Sequence, residues 1–252
     1  MSFFIKSKLY LELIKQTIIK KNYKIFYSQF GEDRIINELI KKNYKNGFYV
    51  DVGCYHPKKY SNTHLLHKDR GWSGINIDIE EDKIKTFNIL RPNDVNICCP
   101  VSSEKKYVKI NKFGNFHVGS YVSKVNNIKN IPSENVKLTK SLNQIIKNTK
   151  YKNREIDLLN IDTEGSDFDV LKSIKLKKYN PKIIIIESHL KDINKILSSK
   201  IYKYLIKSKY KLRSWSFFSL IFCKNNSNII KKRFDNKLGF WIYLRSYGTY
   251  IL

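Results

Sequence analysis

Short apolar runs alternate with amphipathic segments along the middle of the chain, and this alternation predicts the fold. The runs are of strand length, whereas the segments between them space their apolar residues as helices do. A chain that alternates strands and helices folds into a mostly parallel sheet with helices on both faces. The predicted strands are 48–53, 75–78, 95–99, 156–161 and 183–186, with a closing antiparallel pair at 210–214 and 218–223. The predicted helices are 34–41, 64–68, 81–90, 138–148, 167–173 and 193–208.

Three segments depart from this alternation. Residues 106–110 alternate and predict an extra strand, but residues 111–136 contain Gly, Asn, Pro and Ser without a period and predict a loop insertion. Residues 1–26 predict an amphipathic basic helix, which packs on its own domain or lies on a membrane surface. Residues 226–252 are basic and aromatic, and their pattern predicts no structure. One domain, residues 27–225, is therefore expected between two extensions.

The charge of the chain is strongly positive, at +26, and is greatest towards the two ends. Residues 191–252 carry 14 Lys and Arg against two Asp, and residues 1–26 carry six Lys against one Glu. This distribution suits an anionic partner such as nucleic acid, a membrane surface or an acidic glycan. Alternatively, it reflects a general compositional bias, since the chain is also rich in Asn and Ile.

The sequence gives no sign of export or of a membrane span. No apolar run approaches the ~20 residues that a spanning helix needs, and charged residues interrupt the first 26 positions, where a signal peptide would lie. The four cysteines form no CxxC pair, which favours buried thiols in a reducing compartment. A cytoplasmic protein is expected, with peripheral membrane contact through residues 1–26 as an alternative. The oligomeric state cannot be inferred.

Polar residues stand where the predicted parallel strands end. Asp51 and Gly53 end the first strand, Asp78 the second, Asp162 the fourth and Glu187 the fifth. Ligands of open α/β sheets bind at the carboxyl ends of the strands. A strand followed by a glycine turn, with an acid ending the next strand about 25 residues later, is typical of sites that bind a nucleoside through its ribose hydroxyls.

Six segments in matching order resemble the FkbM-type S-adenosylmethionine-dependent methyltransferases. The resemblance runs from residue 28 to about residue 225 and implies a Rossmann-like class I methyltransferase fold that transfers a methyl group, usually to a hydroxyl oxygen. The matching segments are SQFGEDRII (28–36), GFYVDVGCYHPKKYSNT (47–63), GWSGINIDIE (71–80), VSS (101–103), IDLLNIDTEGSDFDVL (156–171) and PKIIIIESH (181–189).

The resemblance implies roles for particular residues. The methionine half and the ribose of the cofactor S-adenosylmethionine would lie beside the end of the first strand. The acid that ends the second strand would hold the ribose hydroxyls, and the residues at the end of the third strand would border the adenine. The implied cofactor-binding residues are Asp51, Gly53, Cys54, Asp78, Ile79, Val101, Ser102 and Asp162. The implied substrate-binding residues are Tyr55, Asn62, Thr63 and Glu187.

The transfer requires a group that removes a hydroxyl proton late in the reaction. Candidates near the methyl donor are Asp162, Glu164, His56 and His189. Each also has a structural interpretation: His56 as a cap of the turn at Pro57, His189 as a surface residue, and Glu164 as a support of the Gly165 turn. Asp162, Glu164 and Glu187 could also converge on Mg²⁺, which prefers oxygen ligands.

Three functions are compatible with these features. The first is O-methylation of a hydroxyl on a sugar, a glycan or another small molecule. The second is RNA methylation, since aromatic and basic residues alternate in the C-terminal part, as in stacking surfaces for nucleic acid; the aromatic residues are Tyr202, Tyr204, Tyr210, Trp215 and Trp241. The third is a methyltransferase-like binding module without turnover. The sequence lacks a P-loop, GxGxxG, a Pro-Cys pair and Asn-Pro-Pro-Tyr, which argues against nucleotide hydrolysis, dehydrogenation, base C5-methylation and amino-group methylation.

Overall fold

The structure is a computed structural model that describes residues 7–8, 10–11, 25–112, 120–125 and 136–231. Its helices are α1 Glu32–Leu39, α2 His64–Arg70, α3 Glu81–Leu90, α4 Leu142–Lys147, α5 Asp167–Lys172, α6 Leu176–Tyr179, α7 Ile193–Ser198 and α8 Lys200–Lys207. Its strands are β1 Phe48–Val52, β2 Ser73–Asp78, β3 Val95–Cys98, β4 Tyr107–Lys112, β5 Ser120–Lys124, β6 Val136–Leu138, β7 Leu158–Ile161, β8 Ile183–Glu187, β9 Tyr210–Ser216 and β10 Ser219–Lys224.

Seven strands form the central sheet in the order β3-β2-β1-β7-β8-β10-β9. The first five of these are parallel, and β10 runs antiparallel to both β8 and β9. The parallel strands follow the order of dinucleotide-binding sheets. All of them point the same way, but the order in which the chain adds strands to the sheet reverses between β1 and β7. The predicted Rossmann-like α/β fold, with its mostly parallel sheet and antiparallel closure, is confirmed.

The parallel strands are buried on both faces, which explains why they appear as continuous apolar runs. Alternate side chains enter opposite halves of the core. In β1, Val50 packs with one cluster of buried residues and Tyr49 with the other; in β8, Ile184 and Ile183 divide in the same way. The core thus lies on both sides of the sheet and fixes the strand ends as a rigid edge.

The prediction of a loop over residues 111–136 is wrong for the part that the structure describes. The strand predicted at 106–110 runs on to Lys112, and β5 and β6 pair with it in a three-stranded antiparallel sheet of order β5-β4-β6. No residue of β5 is fully buried. Hydrophobic periodicity marks buried strands, so this half-exposed strand left no signal in the sequence.

Two predicted helices have different limits in the structure. The helix predicted at 138–148 begins only at Leu142, where Ser141 and Gln144 form a reciprocal capping box. The helix predicted at 193–208 is divided into α7 and α8, because Ser199 adopts an extended conformation and its side chain accepts a hydrogen bond from Tyr202 N. In both cases a serine N-cap sets the boundary, because its side chain accepts a hydrogen bond from a backbone N–H in the first turn of the helix that follows.

The predicted N-terminal helix lies almost wholly outside the described residues, of which only 7, 8, 10 and 11 belong to it, and these are helical. Most of the predicted C-terminal extension, residues 232–252, also lies outside them. Its first residues pack on the domain, where Lys41 N donates to Ile229 O and Ile40 bridges Ile230. Among the described residues, none of the helices has both the length and the hydropathy of a membrane span.

Candidate functional site

A cleft opens at the carboxyl edge of the sheet, above the ends of β1, β2 and β7. Its space, counted out to its open mouth and including the solvent there, is about 1090 Å³. Ten of the residues predicted to form the site line it: Asp51, Gly53, Cys54, Tyr55, Asn62, Asp78, Ile79, Val101, Asp162 and Glu164.

Gly53 forms the floor of the cleft where β1 ends. Its φ of +78° lies in the left-handed region, and its N–H donates to Ile77 O at 2.8 Å. A Cβ on this residue would lie 1.6 Å from the backbone oxygen of Asp162, a distance that no packing can accommodate. The ends of β1 and β7 therefore approach each other so closely that only glycine fits.

Asp51 supports the floor from beneath. Its carboxylate accepts hydrogen bonds from Asn160 Nδ2 at 2.8 Å and from Thr63 Oγ1 at 2.9 Å. Burial raises the pKa of this carboxyl, and the two hydrogen bonds oppose that shift. Thr63 is fully buried and does not line the cleft, so it connects Asp51 to the loop rather than contacting a ligand directly.

The loop after β1 is held by a buried arginine, Arg91, at the end of α3. Its guanidinium donates to Tyr49 Oη and Thr63 Oγ1, both at 2.9 Å, and also to the carbonyl oxygen of Pro57 and to Ser61 Oγ. Arg91 is 2% exposed. Arginine is usually a surface residue, and nothing in the local sequence pattern distinguishes this one, so its role cannot be predicted from the sequence.

Replacing Arg91 with methionine is expected to lower the free energy of unfolding by about 3 kcal/mol, because the change leaves several buried hydrogen-bond partners unsatisfied. Urea denaturation followed by circular dichroism measures this loss. Arg34→Met is the control, since within the described ranges Arg34 pairs with Glu38 of α1 at 3.4 Å and lies partly in solvent. A loss below about 1 kcal/mol for Arg91→Met would show that the loop does not depend on this network.

Asp78, the last residue of β2, is oriented by the backbone. Its two carboxylate oxygens accept hydrogen bonds from Tyr55 N and Glu80 N, each at 3.0 Å. It is 5% exposed, and burial raises its pKa while Lys83 at 3.9 Å lowers it. The carboxylate lines the cleft in a fixed orientation, and each oxygen can accept one further hydrogen bond from a ligand.

The wall next to Asp78 is mainly apolar. It is built from Ile79, Val101 and Pro100 together with Val122 of β5, and Ser120 Oγ joins β5 to Glu80 at 2.6 Å. The inserted sheet thus contributes to the cleft, which the predicted loop over residues 111–136 does not anticipate. Such a wall suits a flat aromatic ring.

Two residues predicted to bind the cofactor have little or no surface exposed to the cleft. Ser102 does not line the cleft, and its hydroxyl donates instead to Asp169 on α5 at 2.7 Å. Cys54 lines the cleft with little exposed surface, and burial raises the pKa of its thiol well above the ordinary value. It therefore remains protonated and does not serve as a nucleophile at neutral pH.

The opposite end of the cleft is acidic. Burial, followed by the neighbouring charge of Glu187, raises the pKa of Asp162 well above its ordinary value. Burial and the charges of Asp167 and Glu164 raise the pKa of Glu187 to about 7. Because two adjacent carboxyls cannot easily both be ionised, one of them retains a proton near neutral pH. This pair can therefore accept and release a proton.

Glu164 projects from a turn in the left-handed region, with a φ of +51°. The turn is held by Asp167, whose carboxylate accepts from Thr163 N at 2.8 Å and from Gly165 N at 3.1 Å. A non-glycine residue in this region indicates local strain that the surrounding structure maintains. Asp167 was predicted only as the start of a helix, and its side chain positions the acidic turn.

A smaller cavity adjoins the cleft at its acidic end. It shares Gln29, Tyr60, Asn62 and Asp162 with the cleft, and Glu187 and Phe218 line it as well. Among the described residues, Asn62 Oδ1 is buried there without a hydrogen-bond partner, and Glu187 Oε2 is buried with no donor except the carboxyl of Asp162. Unsatisfied buried acceptors are costly, so a ligand that donates hydrogen bonds would fit this cavity.

The two histidines proposed for catalysis line neither cavity. His56 Nδ1 accepts from Lys58 N and Lys59 N, both at 3.0 Å, which is the turn-capping arrangement. Burial and the nearby Lys59 lower the pKa of His56, so it is neutral at pH 7. His189 lies 3.5 Å from Glu187 and its side chain is 56% exposed.

The group of side chains that could hold a metal ion differs from the predicted set. Among the described residues, ligand atoms of Glu164, Glu187 and His189 lie within 4.8 Å of one another, whereas Asp162 is not part of this group. An imidazole with two carboxylates suits manganese, iron or zinc better than Mg²⁺, which prefers oxygen ligands and water. The donor set therefore does not fit magnesium, and no catalytic role follows for it.

Comparison with known proteins identifies the family. No curated protein and no solved structure matches the chain significantly. A sequence model of the methyltransferase FkbM domain matches residues 51–212, which is more than half of the chain and extends from β1 into β9. The matched segment contains the glycine floor, Asp78 and the acidic pair Asp162–Glu187. The chain therefore belongs to the FkbM methyltransferase family.

Proposed function

We propose that this methyltransferase uses S-adenosylmethionine and methylates a hydroxyl oxygen of a sugar, a glycan or another neutral small molecule. The observation that carries the proposal is a cleft with an oriented carboxylate, Asp78, on one side and Asp162 on the other, where Asp162 forms a proton-holding pair with Glu187 of the adjoining cavity. The first suits a nucleoside and the second suits a hydroxyl that must lose its proton.

The residues of the cleft fit S-adenosylmethionine. Asp78 would accept hydrogen bonds from the two ribose hydroxyls, and the wall of Ile79 and Val101 would contact the adenine. Gly53 lets the backbone approach the ligand closely. When bound, the cofactor supplies a methyl group that its sulfonium already activates as an electrophile, so the protein must mainly align the reactants.

Asp162 has the best position for handling the acceptor, because it lines both the cleft and the adjoining cavity. A hydroxyl in that cavity would donate to Asp162 or to Glu187 Oε2. Carboxyls with raised pKa values are better proton acceptors than ordinary carboxylates, which makes them suitable general bases near neutral pH. Asn62 Oδ1 would accept from a second hydroxyl and so orient the acceptor.

The structure weakens the case for RNA as acceptor. Tyr210 lies in the core, where its hydroxyl donates to Pro181 O at 2.7 Å, and Tyr202, Tyr204 and Trp215 pack partly against that core. Trp241 lies outside the described residues. In the described part of the chain no Lys or Arg lines the adjoining cavity, whereas a phosphate backbone requires cationic contacts. The acidic pair Asp162–Glu187 also argues against an inactive module.

Peripheral membrane contact and a cytoplasmic location remain proposals. They rest on the amphipathic basic pattern of residues 1–26 and on the lack of a spanning helix in the described residues. Removing residues 1–26 and measuring both recovery with membranes and methyl transfer would separate anchoring from catalysis.

Incubation with S-adenosylmethionine labelled in its methyl group tests the proposal. The acceptors are methyl glycosides, nucleotide sugars and total RNA, and the products are treated with alkali and analysed by mass spectrometry. We expect an alkali-stable methyl ether on a sugar, since a hydroxyl oxygen is the acceptor. Label in RNA alone would favour the alternative, and label in no acceptor would contradict the assignment of a hydroxyl substrate.

A further inference from the structure

An aromatic patch lies beside the acidic end of the cleft, and its members are Phe30, Phe217 and Phe218. The rings of Phe30 and Phe217 stack at 4.4 Å with an angle of 16° between their planes, and Phe218 meets Phe30 edge-on at 5.9 Å. Phe30 and Phe218 also line the cavity that contains Asp162 and Glu187. The patch is therefore continuous with the place where the acceptor hydroxyl must lie.

We infer that this aromatic patch binds the apolar face of a neutral sugar ring and presents one hydroxyl of that ring to Asp162 and Glu187. The inference rests on the proposed function and names the residues that select its acceptor.

The turn between β9 and β10 is formed by two residues that its backbone conformation disfavours, which indicates that their aromatic rings serve another purpose. Its two residues are Phe217 and Phe218, and Phe217 has a φ of +49°. Hairpin turns with positive φ favour Asn and Gly, whereas a bulky side chain is strained there. Phe217 is also 58% exposed. A strained and exposed phenylalanine next to a site indicates a function outside folding.

The tip of this hairpin is held against the N-terminal segment of the domain. Ser216 Oγ donates to Phe30 O at 3.0 Å, and Ser219 Oγ donates to Glu32 Oε1 at 3.0 Å. Ser188 N also donates to Phe218 O at 2.6 Å. The patch is thus positioned before a ligand arrives, which reduces the entropy lost on binding.

The polar groups around the patch suit a ligand with several hydroxyls and no charge. Among the described residues Asn62 Oδ1 is a buried acceptor without a partner, and Glu187 Oε2 has no donor except the carboxyl of Asp162, so both oxygens suit donors from a ligand. The lining of the cavity is acidic, with Glu32, Asp162 and Glu187, and within the described residues it holds no Lys or Arg. Phosphate and carboxylate ligands would be repelled. A sugar ring combines outward hydroxyls with a C–H face, whose partial positive charge matches the negative face of an aromatic ring.

Saturation-transfer difference NMR tests the inference on the full chain saturated with S-adenosylhomocysteine. The probes are the methyl α-glycosides of glucose, mannose and galactose at millimolar concentration, together with glucose 6-phosphate. Phe217→Gly is the informative variant, because glycine suits the positive φ and the hairpin is expected to fold. Tyr107→Ala is the control: Tyr107 is 46% exposed and does not line the cleft.

We expect saturation transfer to the ring C–H protons of at least one glycoside in the wild type and in Tyr107→Ala, and at least about a fivefold reduction in Phe217→Gly. The affinity for S-adenosylhomocysteine, measured separately by calorimetry, is expected to be equal in all three proteins. The inference would be overturned by undiminished transfer in Phe217→Gly or by no transfer in the wild type. Tighter binding of glucose 6-phosphate than of the neutral glycosides would also overturn it. If S-adenosylhomocysteine did not bind the wild type, the proposed function would fail instead. The saturation transfer to the glycosides would then still show whether the patch binds a sugar ring.

Discussion

Replacing Gly53 with alanine is expected to abolish cofactor binding and to lower the free energy of unfolding by several kcal/mol. The left-handed conformation alone costs an L-residue roughly 1–2 kcal/mol. The added Cβ would also lie 1.6 Å from Asp162 O, so β1 and β7 could not keep their spacing at the edge that forms the cleft. Urea denaturation and calorimetric titration of S-adenosylhomocysteine measure the two effects.

Gly31 offers a matched control for this experiment. Its φ of +82° is close to the +78° of Gly53, but nothing lies within 4 Å of the position that its Cβ would take. Gly31→Ala therefore carries only the conformational cost, about 1–2 kcal/mol, and leaves cofactor affinity unchanged. If Gly53→Ala proved no more damaging than Gly31→Ala, the close approach of the two strand ends would not be what forms the site.

Replacing Asp162 with asparagine is expected to lower kcat by about 10²–10⁴-fold, the usual contribution of a general base. Cofactor affinity should change much less, because Asp162 lies at the acceptor end, where it also lines the adjoining cavity. Steady-state kinetics with the acceptor found by the labelling assay measures both quantities. Asp82→Asn is the control, since the side chain of Asp82 is 90% exposed on α3. Wild-type activity in Asp162→Asn would remove Asp162 from the reaction.

The pH profile tests the same pair more specifically. The wild type is expected to lose activity as the pH falls through about 7, where Glu187 takes up a proton. Glu187→Gln removes the neighbouring negative charge that raises the pKa of Asp162, so the acidic limb should move to lower pH. If the limb stayed in place, the two carboxyls would not share a proton.

The pair should also affect stability in a defined direction. The folded pKa of Glu187, about 7, exceeds the ordinary value of 4.5. Its contribution to stability is therefore complete below pH 4.5 and is lost as the pH rises through about 7. Glu187→Gln should reduce this loss, which thermal unfolding across that pH range would detect.

The sequence predicted the parallel sheet well because the physics that forms it is local. Each central strand is buried on both faces and therefore appears as an apolar run, and the acids at its end follow directly in the chain. Asp51, Asp78, Asp162 and Glu187 could be placed at one edge for this reason, since parallel strands bring their carboxyl ends together.

The remaining parts depend on contacts that sequence spacing does not encode. β5 is half-exposed, so its side of the cleft had no hydrophobic signature. Arg91 acts through partners up to 42 residues away in the chain, and the turn at Phe217 violates ordinary turn preferences. His56 appeared as a candidate base because histidine is a common one, but its ring accepts hydrogen bonds from its own loop. Such positions need the tertiary structure.

Calorimetric titration of S-adenosylhomocysteine into the wild type and into Asp78→Ala tests the central claim most directly, because the claim is that Asp78 holds a nucleoside cofactor in the cleft. We expect micromolar binding to the wild type, about 30- to 100-fold weaker binding to Asp78→Ala through the loss of two charge-assisted hydrogen bonds, and no change in Asp82→Ala. Absence of binding to the folded wild type, or equal binding to Asp78→Ala, would contradict the account.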